Sequence, residues 1–286
     1  MSQARIGIIG GSGLYQMPGL TDVQEHSIDT PFGAPSDPLV TGNMDGVPVV
    51  FLARHGRDHR FLPTEVPYRA NIHALKQMGV RYLVSFSAVG SLQAEVAPRD
   101  MLIPDQYIDL TRHRVNTFFG EGVVAHVALA DPVCAALSKL LAEAVAAQEN
   151  APNLHTGGTY VCMEGPQFST RAESQWYRQM GASVIGMTNM PEARLAREAQ
   201  MAYASLAMVT DYDSWNPKED HVTAELAIAN LMHNADNAKR IARTAIELIN
   251  RHAPESQAHQ ALKQGLVTPM EQIPEARRAL VELLLQ

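Results

Sequence analysis

The sequence predicts an α/β protein: one domain followed by a short C-terminal extension. Three observations lead there. Strand-like and helix-like runs alternate along most of the 286 residues. Residues 203–210 are an apolar, small-residue run of strand length without alternation, the pattern of a strand covered on both faces. No interior segment has the composition of a linker, and a chain of this length can bury about three quarters of its unfolded surface in one core.

The elements follow in order. Residues 6–9 form a short buried strand that runs straight into Gly10-Gly11-Ser12-Gly13. Successive glycines let backbone N–H groups converge on an anion, although they also make an ordinary tight turn. A dinucleotide fingerprint fails on spacing, because Gln16 stands where its third glycine would be. Residues 39–44 and 47–53 flank Asp45-Gly46, a two-residue hairpin signal. The second of these strands delivers Arg54-His55-Gly56-Arg57-Asp58-His59. That stretch is either a solvated basic loop or an oxyanion site, since Arg presents a planar donor fork to phosphate. His55 and His59 have the spacing of a zinc pair. Gly56 disfavours the helix such a pair needs, and the flanking arginines repel a cation, so no metal is expected.

Residues 67–78 read as a helix with Pro at its start and Gly79 at its stop. Residues 82–88 are a strand ending in Ser87-Ala88-Val89-Gly90-Ser91, where small hydroxylated residues offer more donors. Asp131-Pro132 reads as the start of a helix to about residue 147, with a polar loop over 148–156. Residues 158–163 form a strand leading into Glu164-Gly165-Pro166-Gln167-Phe168-Ser169. Thr170 and Glu173 make a capping box for a helix to about 180, which Gly181 ends. Residues 183–187 are a strand, and Thr188-Asn189-Met190-Pro191-Glu192 opens the next helix.

The strand over 203–210 runs into two carboxylates, Asp211 and Asp213. Ligands of open α/β sheets gather at the carboxyl ends of the strands, so this pair is either a cap with a turn or a site. A long helix over 221–250, an irregular polar stretch over 251–269 and a short helix over 274–285 complete the chain. Leu280, Leu283 and Leu284 share one side of the last helix, which must cover the body or a neighbouring subunit.

Bulk properties exclude some functions. The net charge is −7 with no basic run, which argues against nucleic-acid binding. An anionic ligand must then be held by local donors against the global field. No segment approaches the ~20 apolar residues of a membrane span, and no secretory leader is expected. Two cysteines, Cys134 and Cys162, make a disulfide framework improbable, so the expected compartment is the cytoplasm.

Six blocks carry a resemblance over about residues 5–250. They are Ile-Ile-Gly-Gly-Ser-Gly-Leu at 8–14, Thr-Pro-Phe-Gly-Ala-Pro-Ser at 30–36, Ala-Arg-His-Gly-Arg at 53–57, Glu-Gly-Pro-Gln-Phe-Ser-Thr-Arg-Ala-Glu-Ser at 164–174, Gly-Met-Thr-Asn-Met-Pro-Glu at 186–192 and Thr-Asp-Tyr-Asp-Ser-Trp at 210–215. In this order they resemble the purine nucleoside phosphorylase family of trimeric type, and most closely its members that act on 5'-methylthioadenosine. The resemblance implies a single domain with a central twisted mixed β-sheet flanked by helices. It divides the chain into a phosphorylase domain at 1–252 and an extension at 253–286.

The implied reaction is phosphorolysis of 5'-methylthioadenosine to adenine and 5-methylthioribose 1-phosphate, in purine and methionine salvage, through a transition state like an oxocarbenium ion. The family's phosphate positions fall on Ser12, Arg54, His55, Ser87, Ala88 and Thr188. Met187 matches its ribose-contacting methionine, and Phe168 should stack on the base. Asp211 and Asp213 match the catalytic, base-reading acids. Relatives that prefer 6-oxopurines carry Asn at the position of Asp211, so adenine is the expected base. An apolar wall for the 5' group falls near Ala224 and Ala227, with His221 close in sequence. His126 matches a residue given across a subunit boundary. The implied assembly is a homotrimer or a dimer of trimers with active sites at its interfaces. Inorganic phosphate is a co-substrate, and no cofactor or metal is implied. The alternative on the same fold is a broader or 6-oxopurine nucleoside phosphorylase acting on inosine, guanosine or methylthioinosine. A non-catalytic nucleotide-binding protein and a hydrolase are further readings.

Overall fold

The computed structural model describes residues 5–11, 14, 17–217 and 224–286, with the side chains of 224, 226–228 and 231–234 outside the description. Its elements alternate as the sequence implies. In chain order they are β1 (Ile6–Gly10), β2 (Leu20–His26), β3 (Leu39–Met44), β4 (Val47–Ala53), α1 (Tyr68–Gln77), β5 (Tyr82–Ser91), β6 (Met101–Ile103), β7 (Gln106–Asp109) and α2 (Ala135–Ala146). Then come β8 (Leu154–Thr156), β9 (Thr159–Cys162), α3 (Arg171–Gln179), β10 (Val184–Gly186), α4 (Asn189–Glu198), β11 (Ala202–Asp211), α5 (Ala224–His252), α6 (Ala261–Gly265) and α7 (Glu275–Leu285).

All the strands join one mixed sheet that forks at β5. Residues Tyr82–Ser85 of β5 run parallel to β1, while Gly90 and Ser91 on the same edge pair antiparallel with β10. The other edge of β5 is held by parallel β11 from Tyr82 to Gly90. Where β1 leaves and β10 arrives, the sheet opens a gap at the carboxyl ends of β1, β4, β5 and β11.

Strand β11 is buried at all ten positions. Alternate side chains enter different cores, as a period of two requires. Tyr203, Ala207 and Val209 pack with Ile72 and Leu75 of α1 and Leu195 of α4. Ala204, Leu206 and Met208 pack with Leu137 and Leu141 of α2 and Ile241, Ile246 and Ile249 of α5. Each fully buried large aliphatic side chain contributes about 1.5–3 kcal/mol, so burial on both faces holds this strand firmly in the frame. The extension supplies Leu262, Leu280 and Leu284 to the first core. The last helix therefore packs on the body of its own chain, and Gln200 Nε2 donates to the Leu285 carbonyl at 3.0 Å. Leu283 is only half-buried.

Several expected boundaries move. Strand β5 does not stop at Ala88 but continues through Gly90 to Ser91, because β11 and β10 go on offering partners. Helix α2 begins at Ala135, with Cys134 at its N-cap and no side-chain cap. Asp131 does not start it: its carbonyl is taken by the Arg197 guanidinium instead. The loop expected over 148–156 contains β8, which is bonded to β6. The stretch after 251 is not irregular, since it holds α6 between single 3₁₀ turns at Gln257–Gln260 and Met270–Gln272. Residues 221–223, expected to begin the long helix, lie outside the described residues. Strand β2 and the short strands β6 and β7 were not anticipated: β2 is an edge strand of mostly exposed residues, and the other two are three and four residues long. Among the described residues, no helix is long and apolar enough to cross a membrane.

Candidate active site

The gap at the fork is a cavity of about 390 Å³, within the range of small-molecule sites. Its lining comes from the ends of six strands and the loops that follow them. Gly11 follows β1, Arg54 and His55 follow β4, Phe86–Gly90 belong to β5, and Met208, Thr210 and Asp211 belong to β11. Met187 and Thr188 follow β10, and Phe168 stands on the loop after β9.

One wall is acidic. Asp211 ends β11 at a register shift, where it pairs with Gly90 after Val209 has paired with Val89. A Cβ on Gly90 would stand 2.9 Å from Asp211 Oδ1 and 3.2 Å from Asp213 Cβ, so only glycine leaves room for both acids. Asp213 itself adopts φ 48°, a left-handed conformation that Asp tolerates better than most residues. Both residues are 7 % exposed. The Asp213 N–H donates to Asp211 Oδ1 at 2.8 Å. Burial, reinforced by the neighbouring Asp213 charge, pushes the Asp211 carboxyl above the ordinary carboxylate range. Burial does the same to Asp213, whose Oδ2 has no hydrogen-bond partner among the described residues.

The hydroxyl of Thr210 and the N–H of Asp213 temper that rise for Asp211. Thr210 Oγ1 lies 2.7 Å from Asp211 Oδ2 and 3.1 Å from the Val89 carbonyl. A hydroxyl has one proton, and the carbonyl can only accept. That one proton goes either to the carboxylate or to the carbonyl.

The opposite wall is built around a cation that has been neutralised. Arg54 is 2 % exposed and forms a two-pronged pair with Glu192, Nε to Oε2 at 2.6 Å and Nη2 to Oε1 at 3.0 Å. Its Nη2 also donates to Ser85 Oγ, and its Nη1 to the Phe86 carbonyl at 3.0 Å. Tyr203 Oη donates to Glu192 Oε1 at 2.9 Å, which fixes the carboxylate from the far side. Burial alone would lower the guanidinium's pKa, but Glu192 more than reverses this and keeps it charged. The expectation of an open arginine fork is thereby narrowed. Among the described residues, one N–H of Nη1 is left for a ligand out of the five that Arg carries.

Beside Arg54, His55 Nδ1 donates to the Phe61 carbonyl at 2.8 Å, and its ring stacks on His59 at 4.4 Å. Burial and the nearby Arg54 charge lower its pKa to about 4, so the imidazole is neutral at neutral pH. Ser87 is buried, and its Oγ has no partner among the described residues. Thr188 is buried at the N-cap of α4 and makes no cap bond with its side chain. The Ala88 side of β5 is exposed to the cavity.

Between the walls stand Met187 and Phe168, the latter 42 % exposed. Their loops are tied together by a pair absent from the expected site, Arg114 and Glu164. Arg114 Nη1 donates to the carbonyls of Met187 and Met190, at 2.5 and 2.7 Å, and its Nη2 to the Glu164 carbonyl at 2.8 Å. The Glu164 carboxylate accepts from Arg114 Nε, from Thr64 Oγ1 and from the N–H groups of Arg112 and His113. Burial opposes ionisation here, but these donors hold its pKa down at about 2. Glu164 and Glu192 both stood within recognised blocks, yet nothing in the sequence pairs either with an arginine 50 to 138 residues away.

One expected residue, His126, is not brought into this cavity, and others lie wholly or by their side chains outside the described residues. His126 is exposed beside the bridge between Ala125 and Leu266 and does not line the pocket of its own chain. Ser12 lies outside the described residues. Ala224 opens α5, but its side chain, like that of Ala227, lies outside the description, as does His221.

The profile of the phosphorylase superfamily matches residues 5–247. The S-methyl-5'-thioadenosine phosphorylase of Thermosynechococcus vestitus is 58 % identical over 284 residues, spanning 99 % of this chain and 98 % of the relative. The crystal structure of a methylthioadenosine phosphorylase from an antarctic soil metagenomic library superposes with a TM-score of 0.96 at 57 % identity, covering 100 % of both chains. The methylthioadenosine phosphorylase of Schistosoma mansoni in complex with adenine gives a TM-score of 0.81 at 35 % identity, over 91 % of this chain and 96 % of that one.

Proposed function

The chain belongs to the phosphorylase superfamily, and on that premise we propose that it is a pentosyltransferase that splits 5'-methylthioadenosine with phosphate. The products are adenine and 5-methylthioribose 1-phosphate. One observation carries the reading: two buried acids with raised pKa face, across a cavity of about 390 Å³, a wall of hydroxyls and a neutralised arginine.

The chemistry follows from the two walls. A phosphate held by Ser87, Thr188, the backbone at Ala88 and the remaining Arg54 N–H sits below the sugar, with Ser12 and His55 as the other members of its shell. One phosphate oxygen bonds to the anomeric carbon as the bond from that carbon to purine N9 breaks. The phosphate's negative charge stabilises the cationic sugar that develops between them. The electron pair leaving with the base is neutralised when Asp211 gives its proton to N7, so adenine departs uncharged. Oδ1 of the same acid, or Asp213, accepts from the 6-amino group. Phe168 stacks on the purine, and Met187 lies against the ribose without competing as a strong hydrogen-bonding group. The apolar residues of the sequence near Ala224 are assigned to receive the methylthio group. A homotrimer brings His126 of one subunit to the site of the next, which accounts for its exposed position here. The enzyme needs no organic cofactor or metal, and works in the cytoplasm.

A nucleoside panel tests this reading. Methylthioadenosine should release adenine only when phosphate is present and should outrun inosine. Inosine as the better substrate would overturn the adenine assignment, and release without phosphate would make the protein a hydrolase.

A further inference from the structure

Two buried hydroxyls beside the phosphate wall lack partners among the described residues: Ser87 Oγ and Tyr160 Oη. Tyr160 is fully buried on β9, beneath the fork. Its phenol reaches past β10 at Gly186, where an added Cβ would stand 1.9 Å from Oη. Glycine at this position is what lets the hydroxyl approach the cavity, which Gly186, Ser87 and Thr188 all line. Burial pushes the phenol's pKa up, and the Ser87 hydroxyl and Thr188 N–H are among the groups that temper the rise. The three are therefore neighbours, but short of formed hydrogen bonds. Orphaned buried hydroxyls are costly, each by about 1–3 kcal/mol, so a pair of them side by side needs a reason.

Resting on the phosphorolysis reading above, we propose that Tyr160 is a positioning residue for phosphate, completing a chain of donors when the anion binds. The Thr188 N–H donates to Tyr160 Oη, Tyr160 donates to Ser87 Oγ, and Ser87 turns its only proton to a phosphate oxygen. Each donation polarises the next, which strengthens the last bond in a dry pocket. Without the phenol, Ser87 still reaches the anion, but its hydroxyl is neither oriented nor polarised. No anion charge is met by a new cation, which suits a wall whose arginine is already paired.

Tyr160→Phe keeps the ring and removes only the oxygen. The KM for phosphate should rise about ten-fold, which corresponds to ~1.4 kcal/mol. The KM for methylthioadenosine should stay within about two-fold, and the Tm of the free protein should be unchanged or higher, because an unsatisfied hydroxyl has gone. The Tm rise on adding inorganic phosphate should shrink. In a Ser87→Ala background the same substitution should add nothing to the KM for phosphate. An unchanged phosphate KM in Tyr160→Phe, or an equal increase in both backgrounds, would overturn the proposal. A lower Tm of the free protein with an unchanged phosphate response would make Tyr160 a packing residue only. Wild-type protein that releases adenine without phosphate would overturn the underlying reading as well, and so is told apart from these outcomes.

Discussion

The two walls of the cavity treat charge in opposite ways. On one, Arg54 is buried with Glu192 and meets ligand as a neutral unit. On the other, Asp211 and Asp213 are also buried but have no ion pair among the described residues. A paired cation stays charged and fixed, and presents a dipole rather than net charge to whatever lies beside it. Unpaired acids respond to burial by holding their protons. The same low-dielectric cleft thus holds a fixed, paired guanidinium on one side and acids of raised pKa on the other, and a counter-ion among the described residues is what separates the two.

The largest effect should come from breaking the pair. Glu192→Ala leaves a guanidinium buried and uncompensated, and urea unfolding should show a loss of about 3–5 kcal/mol. Replacing both partners, Arg54→Met with Glu192→Met, should restore most of that stability while phosphate saturation stays lost. A wild-type midpoint for Glu192→Ala would mean that the two walls do not differ as described.

Next in size is the acidic wall. Asp211→Asn cannot give up a proton to the leaving base, and kcat on methylthioadenosine should fall at least a hundred-fold, about 2.7 kcal/mol. Its unfolding midpoint should be unchanged or raised, opposite in sign to Glu192→Ala. The pH profile sharpens the point. The folded carboxyl's pKa is raised, so the protonated, active form persists above the ordinary carboxylate range, and the rate falls as pH rises through that higher value. A rate that instead falls on acidification below neutrality would argue for an ionised Asp211.

Phe168→Ala should cost less: a roughly ten-fold higher KM for the nucleoside, about 1.4 kcal/mol, with the phosphate KM unmoved. The smallest effect belongs to an exposed pair of similar geometry, Arg243 with Asp45 at 2.6 Å, whose side chains are 50 % and 47 % exposed. Arg243→Ala should change stability by less than about 1 kcal/mol in thermal unfolding. A loss there as large as that of Glu192→Ala would show that burial is not what makes the inner pair matter.

Much of this was legible in advance. The 203–210 run is a strand covered on both faces, Asp45-Gly46 closes a hairpin, and Thr170 with Glu173 forms both bonds of a capping box. These depend on periodicity and on contacts between near neighbours in the chain. The site positions came from motif resemblance rather than from any local pattern, and most of those described do meet in one cavity. What stayed hidden depends on distance along the chain. Strands β6 and β8 exist because each is paired, not because three residues have a strand pattern. Arg54 looked like an open donor, because no local signal marks a carboxylate 138 residues later as its partner.

The sequence by itself determined the alternation of strands and helices, the caps and turns, and which residue types could bind an oxyanion or read a purine. Tertiary structure alone decided the pairing of those residues and the direction in which their pKa moves. It put Glu192 against Arg54, left Asp211 and Asp213 without a cation among the described residues, and passed the Tyr160 hydroxyl beneath Gly186. Residue type fixes what a group can donate or accept, whereas its charge state depends on burial and on neighbours that only folding brings within a few ångströms.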